Sequence, residues 1–498
     1  MNASLTLNPN SLVRYLNKPA VEFNKEDLIR YMEAHEIRML NFRYVAEDGR
    51  LKTLNFVVSG RDHLDAILSS GERVDGSSLF SFMEAGSSDL YVVPRYRTAF
   101  LNPFTEEPSL EILCSFYDHT GKALESAPEN ILKKAINYFR SSTGMDMKFL
   151  GELEYYINSE RTSIFPATDQ KGYHESEPFA KFEFMRKEAL KLIAQCGGQI
   201  KYGHAEVGNF VSEDEAFEQH EIEFSPTDPE FAADQMLIAK WVLRMLAEQL
   251  QVEISFAPKI TVGKAGNGLH FHMLVEKNGQ NIMLENDVLS DTSKRVIAGI
   301  LDMADALTAF GNTIPTSYLR LVPHQEAPTN ICWGDRNRSA LVRVPLGWTG
   351  GVEKMIFDAN PGIEISPANT GSKQTVEFRV PDGSANIHLT IAGLIMAAEH
   401  GINMPNALEN AAKLYVSVNI FKEMPKNGLE QLPTSCYESA DRLKAKRHLF
   451  EVNNVFPERV INHTIKKLQS FEDHNLSEKL YGNNEAIREL VLEYIHCQ

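Results

Sequence analysis

The sequence predicts an α+β protein of at least two domains, and three observations lead there. The chain has 498 residues, too many for one ordinary hydrophobic core. From Arg38 to about Tyr117, short apolar runs rich in β-branched and aromatic residues alternate with turns. Beyond residue 125, acid-bearing strand-like segments alternate with long helical ones.

Each element has its own signal. Residues 1–20 read as an irregular arm, and 24–37, NKEDLIRYMEAHEI, has helical spacing. The runs RMLNFRYVA, LKTLNFVV, DLYVVP and LEILCSFY read as strands of a small sheet, giving an N-terminal domain over 21–125. SAPENILKKAINYF opens the next unit, 126–498. Ser126 and Glu129 have capping-box spacing, Pro128 suits a first turn, and Ile131, Leu132, Ala135, Ile136 and Phe139 form a helical stripe. DPEFAADQMLIAKWVLRMLAEQL (228–250) reads as an amphipathic helix, and the tail from Cys436 as charged and helical. No solenoid repeat or low-complexity tract interrupts the chain.

Composition excludes several functions. The residues are 43% hydrophobic and 23% charged, which suits a packed globule. A net charge of −17 argues against nucleic acid or an anionic membrane as the main partner. Five scattered cysteines without CxxC fit free thiols in a reducing compartment. The first residues lack a signal-peptide core, and the most apolar run, LTIAGLIMAA, is too short to span a bilayer. The expectation is a soluble, cytoplasmic protein.

The chemistry begins in GELEYYI (151–157). On a strand, Glu152 and Glu154 share a face, where two adjacent carboxylates repel. Similar patterns place Glu206, the pair Glu221 and Glu223, the pair His270 and His272, and Glu377 beside Arg379 on other extended segments. Each alone is also what a solvated strand or a buried histidine pair would show. Together, carboxylates with a little imidazole make a hard divalent site, suited to Mg²⁺ or Mn²⁺. The second half adds Arg320, Arg336, Arg338, Arg343 and Arg379, whose guanidinium forks match phosphate or carboxylate, or pair with the abundant acids. P-loop and Rossmann fingerprints are absent. Acids for metal with arginines for anions point to metal-assisted phosphoryl transfer.

Eight motifs in one order then resemble the glutamine synthetases: VDGSS, GELEYY, HAEV, EQHEIEF, NGLHFH, SYLRLVPHQEAP, NRSALVRVP and VEFRVPDGSAN, between Val74 and Asn386. The resemblance implies a small N-terminal β-grasp-like domain and a larger catalytic domain. In the latter, antiparallel strands form a funnel surrounded by helices. It implies an ATP-binding ligase of nitrogen metabolism and glutamine biosynthesis, joining ammonia to glutamate through a γ-glutamyl phosphate. Two or more Mg²⁺ or Mn²⁺ ions per site would be held by Glu154, Glu206 and Glu221 and by Glu152, His270 and Glu377. Arg320 and Gly266 match the glutamate site, with Arg379 beside them. His272, Arg338 and Arg343 match groups around ATP and the transferred phosphoryl. Glu326 matches a flap acid. Asp75 matches an ammonium-site acid lent by a neighbouring subunit in a ring-type homo-oligomer, such as a dodecamer of two hexameric rings.

The chain departs from the family pattern at Ala265, Thr375 and Leu274, and in a long acidic stretch between Glu206 and Glu221. No clear match to the adenylylated segment of some bacterial members is present, although Phe421 lies near that place. Two other functions stay open. A γ-glutamyl ligase on the same scaffold would use an amine or polyamine, and Asp75 speaks for ammonia. A non-catalytic relative would have broken metal and arginine positions, and here the six proposed ligands are intact.

Overall fold

A computed structural model describes residues 5–83, 88–322, 327–345, 352–362, 373–420 and 428–497. Six strands build the N-terminal sheet: β1 (Met39–Val45), β2 (Leu51–Val57), β3 (Glu72–Asp75), β4 (Asp89–Pro94), β5 (Phe100–Leu101) and β6 (Ser109–Tyr117). Their order is β2-β1-β6-β4-β3, with β5 also on β6. Only β1 and β6 run parallel; the other pairs are antiparallel. Their register sets Leu40 beside Leu110 and Phe42 beside Ile112, and all four are buried. Helices α1 (Ser11–Leu16), α2 (Lys25–Ala34) and α3 (Arg61–Ser70) complete this layer. Where the sequence suggested an irregular arm, α1 is capped by the Asn10 side chain, and Leu12 and Val13 enter the core.

Strand β6 is buried along nearly its whole length, which is why LEILCSFY lacks alternation. Ile112 and Cys114 face the N-terminal core, while Leu113 faces the second one. Glu111, fully buried, is satisfied by Asn41, Arg43, Asn102 and Ser109.

The second sheet contains β7 (Asp146–Glu160), β8 (Ile200–Ser212), β9 (Glu215–Phe224), β10 (Glu253–Ser255), β11 (Leu269–Lys277), β12 (Gln280–Asn281), β15 (Trp333–Asp335), β16 (Val342–Val344) and β17 (Val376–Phe378). A separate hairpin joins β13 (Leu284–Glu285) to β14 (Val288–Leu289). The path is β15-β16-β17-β11-β7-β9-β8, with β10 on β7 and β12 on β11. The pairing is antiparallel as the resemblance implies, except that β15 and β16 run parallel.

The chain then contributes α4 (Pro128–Thr143), α5 (Glu183–Gln195), α6 (Pro229–Leu250), α7 (Asp291–Gly311), α8 (Ser317–Arg320), α9 (Val352–Ala359), α10 (Ile387–Asn403), α11 (Ala407–Lys413), α12 (Cys436–Phe450) and α13 (Glu458–Gln469), with further short helices to the C-terminus. LTIAGLIMAA lies inside α10, nearly all of it buried. Among the described residues no helix is long and apolar enough to cross a membrane. The expected capping box at α4 does not form. Ala127 occupies the N-cap, and Glu129 accepts the Phe116 N–H at 3.0 Å, tying the helix start to β6. Behind the second sheet, α6 approaches closely because position 151 has no side chain. A Cβ there would lie 2.2 Å from Met236 Sδ.

A buried ion pair locks the two units. Arg95 donates to both Asp234 oxygens, at 2.7 and 2.8 Å. Burial opposes ionisation of Asp234, but Arg95 holds its carboxyl down at about 2. Its stabilising contribution is therefore fully present above the ordinary aspartate range and is lost as pH falls through about 2. Arg95→Ala leaves Asp234 buried and uncompensated, with an expected loss of about 3–5 kcal/mol in urea unfolding. A midpoint within error of wild type would show that the pair does not support the domain contact.

Candidate active site

Strand register assembles the site. Glu152 and Glu154 on β7 stand opposite Glu223 and Glu221 on β9. On the other side of β7, His270 of β11 faces Glu152. His272 then faces Glu377 of β17, and Glu377 faces Arg343 of β16. Residues two apart share a face, so one stripe of acids, imidazoles and guanidinium crosses five strands. The opposite face, with Leu153, Ile222 and Phe271, is fully buried in the core.

Contacts tighten the stripe. Glu152 bridges both histidines, 2.9 Å from His270 Nδ1 and 2.8 Å from His272 Nε2. Burial opposes its ionisation, yet the two imidazoles hold its carboxyl well below the usual range. Burial also works against protonated His272, but the Glu152 charge raises it. Thr375 Oγ1 sits 3.0 Å from His272 Nδ1 and so orients the ring. Glu221 is the opposite case. Burial and then the charges of Glu152, Glu154, Glu206 and Glu223 push its carboxyl well above the ordinary value.

Three groups place their ligand atoms within 4.8 Å of one another: Glu152, His270 and Glu377; Glu154, Glu221 and His270; and His204, Glu206 and Glu221. All six sequence-derived metal candidates thus fall in one cluster. Carboxylate oxygens dominate it, and the crowding at Glu221 is what a divalent cation would relieve. The donor set fits a hard divalent ion.

The arginines lie at one end. Glu377, 1% exposed, accepts from Arg343 Nη1 at 2.9 Å and from Arg379 Nε at 3.0 Å. Arg379 also donates to the Arg338 carbonyl. Of the two sequence-based alternatives for these arginines the structure shows the ion pair, with a partner that is itself a metal candidate. Arg338 is exposed and stacks over Tyr173, 5.8 Å from the ring centre. Arg320 is buried and donates to the Val380 carbonyl at 2.8 Å. Gly266 lets its stem pass: a Cβ there would meet Arg320 Cγ at 3.2 Å and Pro258 O at 2.3 Å. The Gly268 N–H donates to Glu154 at 2.5 Å.

Asp75 is not part of this cluster. It is exposed, and its oxygens accept from the Ser77 N–H and from the Ser77 and Ser78 hydroxyls. Those hydrogen bonds hold its carboxyl far below the usual range. Among the described residues no hydrogen bond or ion pair joins Asp75 to the stripe. Glu326 and Phe421 lie outside the described residues.

Several site residues escaped the sequence reading. His204 Nε2 is 3.1 Å from Glu221, and its ring is 4.4 Å from that of His174, which stacks on Tyr173. Gln219 Nε2 donates to the Gly266 and Asn267 oxygens, both at 3.0 Å. His204 could have been found, since HAEV sets it two residues from Glu206 on an extended segment. Tyr173 and His174 sit in a loop whose course no periodicity reveals. The acidic stretch after Glu206 extends β8 and β9 into a hairpin and leaves the Glu221 register intact. Leu274 is 6% exposed, and the Ala265 carbonyl accepts the Tyr156 hydroxyl.

Comparison with known proteins agrees with this geometry. The family model for the glutamine synthetase catalytic domain matches residues 125–480, and that for the glutamine synthetase beta-grasp domain matches 36–119. Glutamine synthetase of Methanococcus maripaludis is 29% identical over 450 residues, covering 86% of this chain and 93% of that protein. That of Thermus thermophilus is 26% identical over 468 residues, covering 91% and 97%. A cryo-EM structure of Plasmodium falciparum glutamine synthetase matches with TM-score 0.73 at 22% identity, covering 91% of this chain and 96% of that one. Apo GmaS matches with TM-score 0.69 at 18% identity, covering 94% and 99%. At those identities the two structures attest the fold alone. With both family models matched in order along most of one chain, the protein belongs to the glutamine synthetase family of ligases.

Proposed function

We propose that this chain is a glutamate–ammonia ligase, forming glutamine, ADP and phosphate from glutamate, ammonia and ATP. The observation that supports it is the meeting of two chemistries on one sheet face: the carboxylate–imidazole cluster and the arginines anchored on Glu377. Mg²⁺ or Mn²⁺ would be held by Glu154, Glu206 and Glu221 and by Glu152, His270 and Glu377. Bound there, they would supply positive charge to offset that of the phosphoryl oxygens.

The protein's own groups do the rest. Arg320, fixed by backbone carbonyls, orients the α-carboxylate of glutamate beside Gly266. Arg338, Arg343 and Arg379 bind phosphoryl oxygens as the γ-phosphoryl passes from ATP to the glutamate side chain, leaving ADP. His272, held by Thr375 and Glu152, is assigned a place beside the ATP phosphates. Ammonium is not a nucleophile. The Asp75 carboxylate, supplied by a neighbouring subunit of a ring, attracts it and accepts its proton. Ammonia then attacks the γ-carbonyl and phosphate leaves. Glu326 is assigned to closing the site, so that water does not consume the acyl phosphate.

The test is ADP release with glutamate and a panel of acceptors. Ammonia is expected to exceed methylamine and putrescine in kcat/KM by about tenfold or more, because a bulkier amine gains nothing from Asp75. A preference for an amine would move the protein to the rival γ-glutamyl ligase reading.

A further inference from the structure

A cavity of about 260 Å³ lies between the two domains, and none of its lining residues belongs to the acid stripe. Phe80 and Phe82 line it from the N-terminal domain, Phe310 and Leu389 from α7 and α10, and Val460 from α13. Phenylalanine and aliphatic side chains line one part of it and polar or charged ones the rest, a mixture that can hold an amphipathic organic ligand. Ser126 lines the cavity and is 2% exposed, and its hydroxyl makes no hydrogen bond among the described residues. A buried hydroxyl left unpaired is unfavourable, so it marks a place where a ligand group is favoured.

The charges around the cavity decide the ligand's sign. Glu47 is committed to His463 at 2.5 Å and to the Ser81 N–H at 2.7 Å. Asp48 is paired with Lys52. Lys467, exposed on α13, and Arg50, on the β1–β2 turn, have no ion-pair partner among the described residues. The uncompensated charge is therefore cationic.

We propose that this cavity binds a small carboxylate with an aromatic body and a second hydrogen-bonding group. The ring packs among Phe80, Phe82 and Phe310, the carboxylate meets Lys467, and the polar end reaches Ser126. One consequence rests on the role given to Asp75 above. The Phe80 N–H donates to the Gly76 carbonyl at 2.8 Å, and Glu47 holds both Ser81 and, through its own N–H, the Leu79 carbonyl. A ligand against Phe80 thus stiffens the turn that presents Asp75, and it lowers the KM for ammonium.

Calorimetric titration of the full chain with 4-hydroxyphenylacetate tests the site without reference to catalysis. Saturable one-to-one binding is expected, weakened about tenfold by Lys467→Glu and lost in Thr464→Trp, whose indole fills the cavity. Neither residue belongs to the catalytic machinery, so Lys467→Glu keeps wild-type ligase activity without the probe, and Thr464→Trp, whose indole takes the place of the ligand ring, keeps wild-type kcat. Lys467 is exposed, so its variant folds even if the indole is not tolerated. No saturable heat with the wild-type protein, or an affinity unchanged by Lys467→Glu, overturns the site. Binding with an unchanged ammonium KM overturns its coupling to Asp75 and leaves the site standing.

Discussion

Stripping divalent cations with EDTA should lower ADP release about a thousandfold, and Mg²⁺ or Mn²⁺ should restore it. The size follows from the charge in the cluster. Glu152, Glu154, Glu206, Glu221, Glu223 and Glu377 crowd one site with three histidines and two nearby arginines. A cation-free site repels the ATP phosphates it must hold. Metal stabilisation of a phosphoryl transition state is worth several kcal/mol, and each 1.36 kcal/mol is tenfold in rate. A second readout is independent of turnover. Ions that bind only the folded state should raise Tm with concentration. Glu377→Ala should remove both effects at one end of the cluster and leave Arg343 and Arg379 unpaired. Undiminished turnover in thoroughly chelated protein would remove the metal from the proposed reaction.

Mixing two inactive variants should recover about a quarter of wild-type activity. Asp75 sits on the small domain, exposed and held by Ser77, Ser78 and Ser88, while every other proposed catalytic group lies beyond residue 150. A head-to-tail ring lets each subunit donate on one side and accept on the other. An Asp75→Ala chain still accepts a good Asp75, and an Arg338→Ala chain still donates one. Alone, each variant is expected to be nearly inactive. Co-expressed at equal ratio, about one site in four receives an intact donor and acceptor if chains mix randomly. Activity at matched protein measures this, with tagged pull-down to show mixed oligomers. Mixed rings without recovered activity would place Asp75 in its own chain's site or outside catalysis.

Period-two patterning in the sequence determined which acids share a face with which, because alternation along a strand is local geometry. Glu152 with Glu154, Glu221 with Glu223 and His270 with His272 were legible for that reason, and the amphipathic α6 by its helical spacing. The order of the strands was not. Placing β7 between β9 and β11 brings Glu152 to His270 and Glu154 to Glu221. These pairings span up to 118 residues, and nothing local encodes them. The same holds for Glu377, whose bond to Arg343 depends on β17 lying next to β16, whereas Arg379, two residues further along, shares its face by local geometry. Glu129 shows the reverse failure. Its spacing from Ser126 satisfies a local capping rule, but the unpaired Phe116 N–H of β6 offered a buried partner, and the tertiary contact won. Residue type and spacing thus determined the chemistry available on each strand. Only the packed sheet, by setting which strands are neighbours, decided that these groups form one site.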